Sequence, residues 1–252
     1  MLKNRVMPCL LLSNRGLVKT RKFAKPVYVG DPINAIRIFN DKEVDEIVVL
    51  DIDASRLHRE PDYETIGAFA SECFMPLCYG GGITTVDQAR RLFSLGVEKV
   101  SLQTSALRDL SLVSEIADRY GNQSVVVSID VANTLFGRRR LHSSAGLSPK
   151  QEWREFLQAA VRAGAGEILL TSVEVEGTMK GVDTALIAEA AAVCGVPLIA
   201  SGGVGSLDDI KRAVMAGANA VAVGAFFVFH GPHRAVLITY PNYDELVVLL
   251  NA

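Results

Sequence analysis

The chain has 252 residues, 49% of them hydrophobic, and a formal net charge of −2 at pH 7. This near-neutral balance argues against a nucleic-acid or membrane-surface partner. The N-terminal stretch has no signal-peptide core and no apolar run is long enough for a membrane span, so we expect a cytoplasmic protein. We expect neither a metal nor another cofactor, because metal-ligand spacing is absent among the four cysteines: Cys9, Cys73, Cys78 and Cys194.

Eight short apolar runs alternate with helical patterns along the chain. They predict strands at Val6–Leu12, Ile47–Ile52, Pro76–Tyr79, Val100–Gln103, Val125–Asp130, Ile168–Thr171, Ile199–Ser201 and Ala220–Val223. The runs are continuous rather than alternating, which is typical of parallel strands buried on both faces. Eight strand–helix units in a chain of about 250 residues predict a single α/β domain, a (β/α)8 or TIM barrel.

Capping signals predict where several helices lie. They place helix starts at Asp31-Pro32, at Asp62 or Tyr63, at Ser148-Pro149 with Gln151 completing a box-like pattern, and at Ser206, with a further helix over Asp109–Tyr120. Long loops are expected after the first and fifth strands, at Ser13–Gly30 and Val131–Leu147. Both loops are rich in basic residues, which fits an anionic ligand, although basic surface loops are usually only solvated.

A shift of 121 positions carries one part of the sequence onto another. The segment Gly80–Leu102 then falls on a later segment, with Gly82 on Gly203, and the same shift carries Glu46–Val49 onto Glu167–Leu170. One offset that links two separate blocks predicts two similar (βα)4 half-barrels, about residues 1–121 and 122–252.

Two glycine-rich turns, Gly80–Gly82 and Gly202-Gly203, each stand between a strand and a helix. Backbone N–H groups at a helix N-terminus form an anion-binding site. A lone glycine turn is more often simple geometry, but two turns related by the repeat predict two phosphate sites on one barrel mouth. Active sites of such barrels lie at the C-terminal strand ends. The polar residues there are Asp51, Asp53, Gln103, Thr104, Asp130, Thr171, Ser172 and Ser201.

Four charged residues stand directly before strands, at the opposite, N-terminal face of the barrel. These are Arg5, Glu46, Lys99 and Glu167, which precede strands 1, 2, 4 and 6. Two positive and two negative charges at this level would form a compact neutral ring. Position alone, however, favours four separate and solvated strand-end charges.

From about Met1 to Phe229, the chain resembles the cyclase subunit of imidazole glycerol phosphate synthase. The resemblance rests on the ordered motifs RVMPCL, VVLDIDAS, CYGGGI, VSLQTSA, VVVSIDV, GAGEILLTSVEVEGT and IASGGVGS. It implies a duplicated half-barrel that binds a bisphosphate substrate. It also implies that ammonia from a separate glutaminase subunit is used to cleave and cyclise a phosphoribosyl-formimino carboxamide.

The resemblance also implies residue roles. Asp130 stands where the family has a catalytic acid/base. The four charges match a salt-bridge gate at the ammonia entrance, and Glu98 beside them is a contact for the glutaminase on that face. Phosphate contacts are implied at Gly82, Gln103 and Thr104 on one side and at Gly177, Gly203, Gly224 and Ala225 on the other, and the strand ends add Thr171 and Ser201.

The first strand departs from the family pattern. That family works with two opposed aspartates, at the ends of strands 1 and 5, and such pairs divide acid and base work. Here the first strand reads Cys9-Leu10-Leu11-Leu12, with Leu11 at the aspartate position. Leucine cannot transfer a proton, so the ordinary cyclisation lacks one of its two acids. Gln103 likewise replaces an Asn of the phosphate motif.

The Leu-rich first strand and the tail FFVFHGPHRAVLITYP resemble a divergent branch of the same family. That branch is associated with amidination of acetamido sugars in bacterial surface polysaccharide (O-antigen), with its own glutaminase-like subunit and a separate amidotransferase. Three alternatives stay open: an ordinary cyclase of histidine biosynthesis, a non-catalytic ammonia conduit, and a sugar-phosphate isomerase of the sister half-barrel family. His230 and His233 in the tail are expected to be surface residues rather than ligands.

Overall fold

Eight parallel strands close into a barrel in the computed structural model, which describes residues 4–134 and 136–251. The barrel closes where the last strand pairs with the first, from Arg5 opposite Ala220 to Pro8 opposite Val223. The predicted TIM barrel is therefore confirmed. Its strands are β1 (Arg5–Ser13), β4 (Ile47–Asp51), β5 (Leu77–Gly80), β6 (Lys99–Leu102), β7 (Val125–Asn133), β9 (Glu167–Ser172), β10 (Leu198–Ser201) and β11 (Ala220–Val223).

Helices connect successive barrel strands, and several begin at the predicted caps. Asp31, Asp62 and Ser206 each accept a hydrogen bond from the backbone amide three residues later, which satisfies one free N–H at a helix start. The helices are α1 (Pro32–Asp41), α2 (Tyr63–Ala70), α3 (Val86–Ser94), α4 (Thr104–Arg108), α5 (Ser111–Tyr120), α6 (Trp153–Arg162), α7 (Thr184–Ala191), α8 (Leu207–Met215) and α9 (Tyr243–Asn251).

One predicted helix start is wrong, and another is shifted by two residues. Helix α6 begins after Glu152 rather than at Ser148-Pro149, because the Glu152 carboxylate caps it by accepting from the amides of Arg154 and Glu155. The helix predicted from Asp109 begins at Ser111, and the Asp109 carboxylate accepts from the Ser111 amide at 3.0 Å. In both cases a carboxylate accepts a hydrogen bond from a backbone amide in the first turn of the helix.

The two predicted long loops contain β-hairpins. The first consists of β2 (Gly16–Arg21) and β3 (Ala24–Gly30), and it extends β1 through antiparallel pairs such as Leu11 with Val18. In the second, β7 runs on to Asn133 and pairs with β8 (Arg139–His142). The loop prediction was wrong because antiparallel pairing within both segments satisfies backbone N–H and C=O groups beside the mouth.

Alternate residues of the barrel strands face two separate apolar regions. An outer layer lies between strands and helices and includes fully buried Trp153, Phe39 and Phe69. Burying such side chains stabilises the fold by about 1.5–3 kcal/mol each. The barrel interior forms a second cluster of smaller side chains: Met7, Cys9, Val48, Cys78, Val126, Leu169, Ile199, Ala220 and Ala222, with Leu11 and Leu50 packed against it.

The tail forms a small hairpin, β12 (Phe229–His230) and β13 (Ala235–Val236), before α9 packs against α8. His230 and His233 are exposed, as expected. None of the helices in the described ranges is long and apolar enough to cross a bilayer. The division into two half-barrels near residue 121 stays a prediction.

Candidate functional site

A cavity of about 580 Å³ opens at the C-terminal ends of the barrel strands. This is the end at which the sequence predicted a site. Every residue predicted for substrate or phosphate contact lines the cavity: Gly82, Gln103, Thr104, Asp130, Thr171, Gly177, Ser201, Gly203, Gly224 and Ala225.

Two glycine turns form opposite sides of the cavity, each next to a helix N-terminus. Gly82 precedes α3 and donates its N–H to the Ser55 hydroxyl at 3.2 Å, while Gly203 precedes α8. Both adopt positive φ, 73° and 92°. A Cβ at either position would meet a backbone carbonyl, that of Arg59 at 2.5 Å or that of Gly181 at 2.1 Å. Glycine is therefore required at both turns, and the helix N-termini that follow them suit an anion in the cavity.

We expect Gly203→Ala to weaken binding of inorganic phosphate at least about tenfold, because the turn must move away from Gly181. Isothermal titration with phosphate measures the change. The matched control is Gly96→Ala, which also has positive φ but faces open space. Equal phosphate affinity in Gly203→Ala and wild type would show that this turn does not hold the anion.

Asp130 is the predicted acid/base, and it lies near the end of β7 with 9% of its surface exposed. Gln103 donates a hydrogen bond from Nε2 to its carboxylate. Burial raises the pKa of Asp130 to about 7 and Glu176 adds to the rise, although Thr171 and Gln103 favour the ionised form. A carboxyl group with this pKa can both donate and accept a proton near neutral pH.

The raised pKa of Asp130 makes the free energy of unfolding depend on pH. Since the pKa is higher in the folded than in the unfolded chain, folding favours the protonated form, and stability falls as the pH rises from about 4 through 7. Asp130→Asn removes this ionisation. We expect the variant to exceed wild type in unfolding free energy by about 2–4 kcal/mol at pH 8 and to match it near pH 4. Urea unfolding at both pH values tests this, and a difference independent of pH would contradict it.

Leu11 lines the same cavity on β1, beside Leu50. The strand that should supply the second carboxylate therefore supplies an aliphatic side chain. Two other carboxylates in the cavity have structural partners. Asp51 accepts hydrogen bonds from the backbone amides of Asp53 and Ala54. Asp53 accepts a hydrogen bond from the Ser13 hydroxyl at 2.6 Å and forms an ion pair with Arg56 at 2.7 Å.

The first hairpin brings in a residue that the sequence suggested only as one of several loop bases. Lys19 on β2 is 4% exposed, and its ammonium donates to the Cys9 carbonyl at 2.5 Å inside the cavity. Burial lowers its pKa. The hairpin is held across the mouth by Glu176, which accepts from the Thr20 hydroxyl at 2.9 Å and the Phe23 amide at 3.0 Å. Only recognition of the hairpin could have identified Lys19.

The second hairpin contributes His142, which the sequence analysis also missed. His142 lines the cavity and lies directly opposite Asp130 in the β7–β8 register. Its ring packs on Phe23 of the first hairpin, with the centroids 5.5 Å apart. The two hairpins therefore meet above the mouth.

The four charges at the N-terminal face form a closed ring. Arg5 contacts Glu46 at 2.5 Å and Glu167 at 2.7 Å, and Lys99 contacts the same two carboxylates at 2.8 and 3.2 Å. Glu46 and Glu167 are buried. Burial lowers the pKa of Arg5, but its two partners outweigh this effect and the pKa is raised overall. Position alone favoured separate, solvated charges, but barrel closure brings the strand starts together into a ring; the role of this ring as an ammonia gate, which the resemblance implies, stays a prediction.

One pair of polar side chains lies in the barrel interior between the charged ring and the cavity. The hydroxyls of Ser101 on β6 and Ser128 on β7 lie 2.6 Å apart, between the level of Lys99 and that of Asp130. The opposite side consists of apolar residues such as Leu11. Within residues 4–134 and 136–251 no cluster of His, Cys, Asp or Glu has metal-binding geometry, and the cysteines are free thiols.

Residues 5–233 match the family model described as histidine biosynthesis protein. A Pseudomonas aeruginosa protein, named as a proposed imidazole glycerol phosphate synthase subunit hisF2, is 56% identical over 98% of this chain and 100% of its own length. A similarly named relative, hisF3 of Vibrio vulnificus, is 47% identical over 97% of this chain and 95% of its own length. Another, HisF of Leptospira interrogans, is 46% identical over 97% of this chain and 98% of its own length. The chain therefore belongs to the histidine biosynthesis family, among the HisF-like cyclase-type subunits of imidazole glycerol phosphate synthase.

Proposed function

We propose that the chain is the ammonia-using subunit of a cytoplasmic glutamine amidotransferase, and that its partner glutaminase docks at the N-terminal face. HisF-type subunits work with a HisH glutaminase in general. The observation that supports the proposal best is the neutral ring of Arg5, Glu46, Lys99 and Glu167. It lies at the N-terminal end of the barrel, and the Ser101–Ser128 pair stands between it and Asp130. A ring with no net charge does not hold ammonium or another ion at the entrance, and opening of one of its ion pairs would admit ammonia.

The docking proposal concerns the surface around the ring. Glu98 directly precedes β6, and Phe74, on the same face before β5, is 87% exposed. A large exposed aromatic residue beside charges is typical of the centre and rim of a protein interface.

We further propose that this subunit serves amidination of an acetamido sugar in surface polysaccharide rather than histidine synthesis. Leu11 stands where a second proton-transfer group would be needed, whereas the glycine turns at Gly82 and Gly203 are both present in the cavity. Two of the relatives carry the suffixes 2 and 3 in their names, which is consistent with additional copies of a cyclase subunit. A separate sugar amidotransferase then receives the ammonia, and the cavity retains affinity for an anionic small molecule.

Two other functions have specific support. The two glycine turns and Asp130 favour an ordinary cyclase. Leu11 favours a non-catalytic ammonia conduit, because leucine cannot transfer a proton. A sugar-phosphate isomerase is disfavoured because it has no use for the charged ring and needs two opposed carboxylates.

The test combines the chain with its glutaminase, the sugar amidotransferase, ATP, a nucleotide-activated acetamido sugar and glutamine with an 15N amide. We expect the amidine product to contain 15N by mass spectrometry, and the yield to collapse when the chain is omitted. Product formed equally well without the chain would contradict the proposal. Rapid turnover of the bisphosphate cyclase substrate would instead identify an ordinary cyclase.

A further inference from the structure

The pair Asp130 and His142 is the feature of the mouth that the proposed function leaves unexplained. The two residues are directly opposite each other in the antiparallel β7–β8 ladder. Side chains opposite each other in such a ladder point to the same face, with Cβ atoms about 4.5–5.5 Å apart. Both line the cavity, so the carboxylate and the imidazole face the same space from adjacent strands.

The imidazole is positioned rather than free. Phe23 covers one side of its ring, and the Phe23 amide is tied to Glu176, so the two hairpins hold each other in place. Burial, with a contribution from Arg140, lowers the pKa of His142 below its ordinary value. The lowered pKa favours the neutral imidazole, whose free ring nitrogen is a weaker proton acceptor than that of an ordinary histidine.

Other charged groups also face the pair. These are Arg140 on the strand of His142, Glu176 in the loop after β9, Lys19 on β2, and the Lys22–Glu174 ion pair at the tip of the first hairpin. Lys22 and Glu174 are of opposite sign and half-exposed, so they contribute little net field. Arg140 disfavours an imidazolium, whereas Glu176 favours a cation in the cavity.

We propose that Asp130 and His142 bind ammonium at the barrel mouth and take its proton, so that neutral ammonia is released to the acceptor; this inference rests on the proposed function. The ionised Asp130 accepts N–H bonds from the ammonium. One N–H bond then breaks, its electron pair stays on the ammonia nitrogen, and the proton bonds to the imidazole. Ammonium holds its proton more tightly than this imidazole, so the transfer is uphill; it is completed because the half-buried imidazolium passes the proton to water and the acceptor consumes the ammonia. No oxidant, reductant or further reactant is needed.

The first experiment uses the purified chain alone, with its histidine rings labelled with 15N for NMR. Ammonium chloride is titrated against potassium chloride at equal ionic strength. We expect ammonium, and not potassium, to shift the His142 ring signals, and Asp130→Asn to abolish the shift. The exposed His230 ring is the internal control. An unmoved His142 signal, an equal response to potassium, or an unchanged response in Asp130→Asn would each overturn the proposal.

The second experiment measures ammonium-driven amidine formation from pH 6 to 9 at subsaturating ammonium. We expect His142→Gln to follow the concentration of free ammonia, about tenfold per pH unit, while wild type falls less steeply towards low pH. Equal pH slopes in both proteins would contradict proton transfer by His142. If wild type forms no amidine from either nitrogen source, the proposed function fails, while the ammonium titration still decides the binding pair.

Discussion

Leu11→Asp is expected to turn over the bisphosphate substrate of ordinary cyclases at least about a hundredfold faster than wild type. Removal of a general acid or base typically lowers a rate 10²–10⁴-fold, so its restoration should return a gain in that range. The position suits the test because Leu11 already lines the cavity that contains Asp130 and both glycine turns. Saturating ammonium is supplied as the nitrogen source, so that the glutaminase does not limit the rate.

The matched control is Leu11→Asn, which has the same shape as the aspartate variant but cannot transfer a proton. A gain in both variants would mean that polarity or space, rather than acid–base chemistry, limits wild type. Wild-type turnover within tenfold of an ordinary cyclase would contradict our interpretation of Leu11 and assign the chain to histidine synthesis. A new carboxylate beside Leu50 also loses solvation, so we expect some loss of stability.

Lys99→Met should have the second large effect, on both stability and nitrogen transfer. The variant leaves the buried carboxylates Glu46 and Glu167 with Arg5 as their only partner in the ring. Breaking a buried ion pair by removing one partner typically destabilises a protein by 3–5 kcal/mol, and partial exposure of Lys99 places our expectation near about 3 kcal/mol. Urea unfolding measures this loss.

For nitrogen transfer, we expect Lys99→Met to lower the yield of 15N product from labelled glutamine at least about tenfold, because a ring of net negative charge attracts ammonium and water into the passage. Lys42→Met, an exposed lysine at the end of α1, is the control. Unchanged transfer with lowered stability would make the ring purely structural. The yield of 15N product in Asp130→Asn distinguishes a catalytic subunit from a non-catalytic conduit. In a pure conduit the yield depends on Lys99 but not on Asp130.

Much of the framework was predictable because its causes are local. Continuous apolar runs predicted the barrel strands, and β11 has the predicted bounds, Ala220–Val223. Side chains three residues from their backbone partners predicted the caps at Asp31, Asp62 and Ser206. The glycine turns were also visible, since a positive φ at Gly82 and Gly203 favours the residue without a Cβ.

The errors have two physical origins, hairpin pairing within segments predicted as loops and a competing local cap. Both predicted loops contain a hairpin, and Lys19 became a buried residue only because β2 folds back on β1. Cap prediction failed at Ser148 because a carboxylate nearer to the buried Trp153 was available.

The sequence by itself determined which groups this protein has for chemistry: Asp130 at the end of one strand, Leu11 where a second acid would stand, two glycine turns, and four charges before strands. The tertiary structure alone decided which of them meet. Arg5 and Glu167 are 162 positions apart and touch only because the barrel closes. His142 faces Asp130 only because β7 continues into a hairpin. Residue chemistry is a property of the chain, whereas contacts between distant residues follow from strand register and closure.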